Sequence, residues 1–113
     1  MSDARQPADP VVFHADLAGL TSSSPDSIIS RTLHTDDRAR IILFTFAPGQ
    51  ELSEHTASVP ATLYFVKGTA DLTLGQEAHQ AGPGTFAHMP ANLPHSIAAK
   101  EEVIMLLTMY KGS

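Results

Sequence analysis

Turn signals recur through this chain at intervals too short for a helix to develop between them. They stand at Thr35-Asp36-Asp37, Ala47-Pro48-Gly49, Gly75-Gln76-Glu77, Gly82-Pro83-Gly84 and the loop from Pro90 to Pro94. Proline presets φ and glycine accepts the positive φ that other residues avoid, so each cluster ends the element before it. The segments between them alternate in polarity or run β-branched and aromatic, which is strand chemistry. They fall at 27–34, 38–46, from Leu52 onward, and at 62–66, 70–74, 78–81, 85–89, 95–99 and 102–110. About nine short strands at even spacing predict an all-β sandwich or small barrel. Only residues 15–20 carry a possible helical turn. Residues 1–26 therefore read as an N-terminal arm and loop, loose over its first 12 positions, and 27–113 as one β-barrel domain.

The last strand constrains the packing further. Val103, Met105, Leu107 and Met109 share one side of it, and Ile104, Leu106 and Tyr110 share the other. A strand wet on one face would not be apolar on both. One face is expected to line the barrel, and the other to pack on a neighbouring element or a second copy of the chain.

Composition sets the outer limits. With 113 residues there is room for one core and not for two. A hydrophobic content of 42% with 17% charged residues is that of a globular domain, not a disordered one. No apolar run reaches the roughly 20 residues needed to cross a bilayer, and the polar opening MSDARQPADP lacks the apolar stretch of a secretory leader. Without cysteine there is no disulfide, thiolate ligand or thiol nucleophile, and cytoplasmic residence is the expectation. The net charge of −5, from twelve acidic and seven basic residues, offers no basic patch for a phosphate backbone. Nucleic acid and membrane are not expected partners, and no phosphate-cradling loop suggests a nucleotide cofactor.

Two stretches carry a recognisable pattern. In the first, Gly49 is followed after five residues by His55, and the stretch closes on Gly68. In the second, Gly84 leads after five residues to Pro90, then Asn92 and His95. These resemble the two motifs of the cupin superfamily, Gly-x5-His-x-His-x3–4-Glu-x6-Gly and Gly-x5-Pro-x-Gly-x2-His-x3-Asn. The resemblance spans most of residues 27–112, and the phrases SEHTA, MPANLPH and MLLTMYK resemble small stand-alone cupins of undefined activity. It implies a double-stranded β-helix, a jelly-roll barrel of the RmlC-like kind with its site inside one open end. The family's site holds Fe, Mn, Ni, Zn or Cu through three histidines and a glutamate.

Here that ligand set is incomplete. Ala57 stands at the second histidine position and Ala61 at the glutamate position, so only His55 and His95 remain. A third ligand would have to come from elsewhere, and His88, on the strand leading to the second motif, is the candidate. The loop between Pro90 and Pro94 resets strand parity, so spacing leaves the direction of His88 open. Glu51 shares simple strand parity with His55 but sits beside the turn and reads as a solvated rim charge, and Glu54 points to the opposite face. Family alignment implies that Ala57, Ala61, Leu63 and Phe65, with Met105, line a mainly apolar pocket around the two histidines.

Three functions compete at this stage. The first is a small-molecule binder using His55 and His95, directly or through a divalent transition metal. The second is a metal-dependent enzyme, such as a dioxygenase, isomerase or decarboxylase acting on a small organic acid. The third is a dimeric structural or sensing module, motivated by the doubly apolar last strand; a homodimer is expected in any case. No catalytic residue is named by the sequence.

Overall fold

The computed structural model describes residues 10–112. Its strands are β1 (Ile28–Thr35), β2 (Ala39–Phe46), β3 (Glu51–His55), β4 (Ala61–Lys67), β5 (Ala70–Leu74), β6 (Glu77–Ala81), β7 (Phe86–Met89), β8 (His95–Ala99) and β9 (Val103–Tyr110). A 3₁₀ turn at Ala18–Leu20 occupies part of the expected helical stretch. The expected loose arm lies outside the described residues as far as position 9. No helix among the described residues is long and apolar enough to cross a membrane.

The strands form two antiparallel sheets, one ordered β1-β2-β9-β4-β7 and the other β3-β8-β5-β6. Sequence neighbours such as β2 and β3, or β7 and β8, fall in different sheets, so the chain crosses repeatedly between layers. That is the double-stranded β-helix implied by the family resemblance, and it falls within the sandwich-or-barrel class expected from the turn spacing. Alternation then decides what fills the space between the layers. Phe46, Leu63, Phe65, Leu72, Ile97, Val103 and Met105 all point inward and are at most 2% exposed. Each such side chain contributes about 1.5–3 kcal/mol by leaving water.

The outer face of the five-stranded sheet has its own cover. Leu43, Thr45 and Ile104 lie on that face and are each 1% exposed. The segment before β1 packs there: the Thr45 hydroxyl donates to that of Thr21 at 2.9 Å, and Arg31 Nη1 donates to the Leu20 carbonyl at 3.3 Å. Over Ile104, then, the second apolar face of β9 meets the chain's own N-terminal segment. Nearer the end of β9 the cover thins, and Tyr110 is exposed.

Glu102 fastens this segment to the barrel. One carboxylate oxygen accepts from Lys67 Nζ at 2.6 Å, and the other from the Ser23 backbone N–H at 2.7 Å. The Lys67 hydrogen bond, followed by those of Ser23, holds the carboxyl well below its ordinary 4.5, at about 2. Beside it, Gly68 has φ of +84°, and a Cβ there would stand 2.0 Å from the Glu102 carbonyl oxygen. Only glycine fits this corner.

Two outcomes follow. Gly68→Ala should lower stability by about 2 kcal/mol or more in urea unfolding, since positive φ and the carbonyl clash both act against it. For Glu102 the folded-state value is depressed, so its contribution is present above pH 4.5 and fades as pH falls toward 2. Glu102→Gln should therefore lower Tm at pH 7, with the difference from wild type closing as both are acidified through that window.

Candidate functional site

β3 and β8 pair along the four-stranded sheet, and their register is uneven. Glu51 faces Ala98 and Leu52 faces Ile97, but the next pair is His55 with His95. Between those pairs β3 carries Ser53 and Glu54, whereas β8 carries only Ser96. This is a β-bulge, with two residues opposed to one. In an unbroken ladder Glu54 would oppose His95. The bulge moves His55 into that place and leaves Glu54 exposed.

Inward direction on β8 is fixed by burial of His95, Ile97 and Ala99. Directly opposed residues share a face, so the His55 ring comes over that of His95. Ring centroids are 4.2 Å apart at an interplanar angle of 56°. His95 is 7% exposed, whereas His55 is exposed at the rim. Across the bulge it is Leu52 that shares the inner face with His55, and Glu51 points to solvent as a rim charge despite its simple parity with His55.

The two rings are held in the same way. His55 Nδ1 donates to the Ser53 carbonyl at 2.7 Å, and His95 Nδ1 donates to the Leu93 carbonyl at 2.9 Å. A carbonyl can only accept, so in each neutral ring the proton sits on Nδ1 and the lone pair on Nε2. Neither Nε2 has a hydrogen-bond partner among the described residues. The site therefore offers two acceptor nitrogens side by side, the deeper one beside apolar Leu74, its register partner on β5. Leaving a buried acceptor unsatisfied costs about 1–3 kcal/mol.

The loops that carry the histidines are tied together. Asn92 adopts φ of +66°, a conformation that Asn accepts more readily than most residues, in the place of the family's glycine. Its backbone N–H donates to the Ala57 carbonyl at 2.7 Å. The two motifs are joined through backbone, which holds the rings in register.

Other expected site residues lie elsewhere. On β7 burial alternates, with Ala87 and Met89 inside and His88 exposed on the outer face opposite Thr62. Parity along this short strand removes His88 from the site. Leu63, Phe65 and Met105 are 0–1% exposed, so neither solvent nor cavity water touches them. They are packed core and do not line an open pocket; Ala61, at 2%, belongs to the same cluster. Ala57, half-buried, remains at the rim. A cleft of about 330 Å³ does exist, but between the N-terminal segment and Leu33, Ile41 and Leu106 on the outer side of the other sheet.

Among the described residues, no group of three or more His, Cys, Asp or Glu could hold a metal ion. A catalytic zinc has three protein ligands and a non-haem iron site has two histidines with a carboxylate. Two imidazoles with alanines at the other two places do not fit a divalent ion of that kind.

Comparisons with known proteins agree with the architecture. The Cupin domain family matches residues 42–110. A conserved protein of unknown function from Streptococcus pyogenes is 30% identical, with 98% of this chain and 99% of that one covered and a TM-score of 0.80. A cupin superfamily protein from Desulfitobacterium hafniense is 28% identical over 96% and 100% of the two chains, with a TM-score of 0.83. A polyketide cyclase from Streptomyces resistomycificus covers 77% of this chain at 19% identity and a TM-score of 0.69, a likeness of fold alone. No curated protein matches the chain. Turn spacing, crossed sheets, both motif frameworks and the family match converge: this chain belongs to the cupin superfamily.

Proposed function

We propose that this cupin binds a small molecule at the open end of its barrel, with His55 and His95 as the recognising groups. The observation that carries this reading is the shared tautomer: both Nδ1 atoms are committed to backbone carbonyls, which leaves a lone pair on each Nε2 with no hydrogen-bond partner among the described residues. The complement to two adjacent acceptors is a cation or a group that donates twice, such as an amide or a diol. With no carboxylate at the position of Ala61 and no third histidine, the donor set supports binding better than catalysis through a divalent metal. Absence of cysteine accords with a cytoplasmic setting.

Thermal-shift screening of small amides, polyols and organic acids at neutral pH, followed by calorimetry, tests the reading. We expect hits among the donors, and His95→Ala should weaken them by about tenfold or more, as loss of a buried hydrogen bond of about 1.5 kcal/mol implies. His55→Ala should weaken them by less, being exposed. If the double variant binds every hit as well as wild type, the reading fails.

A second reading concerns assembly. Tyr64 on β4 and Phe86 on β7 are register partners on the outer face of the five-stranded sheet, 43% and 64% exposed. Leu106 on β9 is the next residue in that row. A contiguous apolar strip of this kind favours a homodimer through this face. Sedimentation at micromolar concentration should then give a dimer, and Phe86→Glu a monomer of unchanged fold; a wild-type monomer would contradict it.

A further inference from the structure

The edge strand β1 carries a second bulge, and it faces the cleft on the outer side of the five-stranded sheet. Thr32 pairs with Ile42 and His34 with Ile41, so Leu33 is the extra residue on β1. In an unbroken ladder Leu33 would oppose Ile41, and His34 would turn to the inner face. The bulge gives that place to His34, and two neighbours that should point apart come to one side. Both line the cleft of about 330 Å³, with Ile41 and Leu106 from the sheet and His14 and Leu17 from the N-terminal segment. The two histidines are the polar side chains of this lining, and the rest of it is apolar. Its four aliphatic side chains from Leu17 to Leu106 are half-buried, not packed shut. The segment is pinned just past Leu17, where the Leu20 carbonyl accepts from Arg31 and the Thr21 hydroxyl from Thr45.

His34 is also held in one tautomer. Its Nε2 lies 2.8 Å from Asp36 Oδ2, while Asp36 Oδ1 accepts the backbone N–H groups of Arg38 and Ala39 at 2.7 and 2.9 Å. These bonds, that of His34 first, hold the Asp36 carboxyl at about 2, so near neutral pH it is ionised and can only accept. The proton of the neutral ring therefore sits on Nε2 and the lone pair on Nδ1, the reverse of His55 and His95. That Nδ1 has no hydrogen-bond partner among the described residues. We propose that this cleft is a second binding site, for a small neutral phenol whose hydroxyl donates to His34 and whose hydrocarbon lies along Leu17, Leu33, Ile41 and Leu106. Size and chemistry both select this class. An apolar cavity of about 150 Å³ takes a bare benzene, so the larger cleft here suits a ring with a short alkyl chain. Sites for such molecules are mainly apolar, with a few polar groups that fix orientation. One free acceptor beside an aliphatic wall calls for one donor on an apolar body. The site lies on the other sheet from the histidine pair and does not depend on it.

The test titrates the full chain at pH 8 with 4-propylphenol and with 4-propylanisole, its methyl ether, which keeps the apolar body and lacks the donor. Leucine and isoleucine methyl resonances locate each ligand. We expect both to shift the methyls of Leu17, Leu33, Ile41 and Leu106, with the phenol bound about fivefold or more tightly, as one added hydrogen bond implies. His34→Phe keeps an aromatic ring and removes the acceptor, and should bring the two affinities to within about twofold of each other. Unmoved methyls at millimolar phenol, or equal affinity for phenol and ether in the wild type, would overturn the proposal. So would a preference for phenol that persists in His34→Phe. Shifts confined to Leu52 and Leu74, near the histidine pair, would overturn it as well while supporting a site at the open end of the barrel. The wild-type shifts and the phenol-to-ether ratio need no variant, so they decide the matter even if His34→Phe misfolds.

Discussion

Between Leu52 and the histidine pair, β3 carries one residue more than the strand it pairs with, and the open end of the barrel takes its chemistry from that mismatch. Side chains alternate strictly along a strand, so an even ladder would place the carboxylate of Glu54 against the buried His95. The extra residue shifts the face by one. It brings a second imidazole to a ring that would otherwise have met an acid, and sends Glu54 to solvent. One position in the backbone thus separates a His–Glu pair, which would favour a proton shared between opposite charges, from a His–His pair that presents two acceptors.

The rest of the fold keeps that register from drifting. Asn92, bonded to the Ala57 carbonyl, ties the loop entering β8 to the loop leaving β3, so the two rings cannot slide independently. The packed core below them, with Phe46, Phe65 and Met105 essentially out of solvent, gives β3 and β8 a rigid floor. At the far side, Glu102 and the glycine corner at Gly68 fasten the N-terminal segment over the outer sheet, where it covers Leu43 and Ile104. The site depends on these distant contacts because a barrel this small has one core, and its sheets move together or not at all.

Much of the fold was legible in the sequence because it is written in local terms. Turns at Pro48-Gly49, Gly75 and Gly82-Pro83-Gly84 need particular φ values, and the segments between them show the period of strands; the strands lie within a residue or two of where these signals place them. His55 and His95 were legible too, as the surviving members of a spaced pattern. What the sequence hid was direction. Parity counted along β3 assigned Glu51 to the face of His55, and only the pairing with β8 reveals the bulge. The direction of His88 was undetermined for a similar reason, since a five-residue loop separates it from His95. Leu63, Phe65 and Met105 do face inward as parity requires, yet inward in a filled barrel means core.

The central claim is that both rings are fixed with the proton on Nδ1 and the lone pair on Nε2. Long-range proton–nitrogen NMR correlation on the uniformly labelled chain at neutral pH reads this directly, because protonated and unprotonated imidazole nitrogens resonate far apart. The account predicts that His55 and His95 each show a protonated Nδ1 and an unprotonated Nε2. A proton on Nε2 of His95 would contradict it.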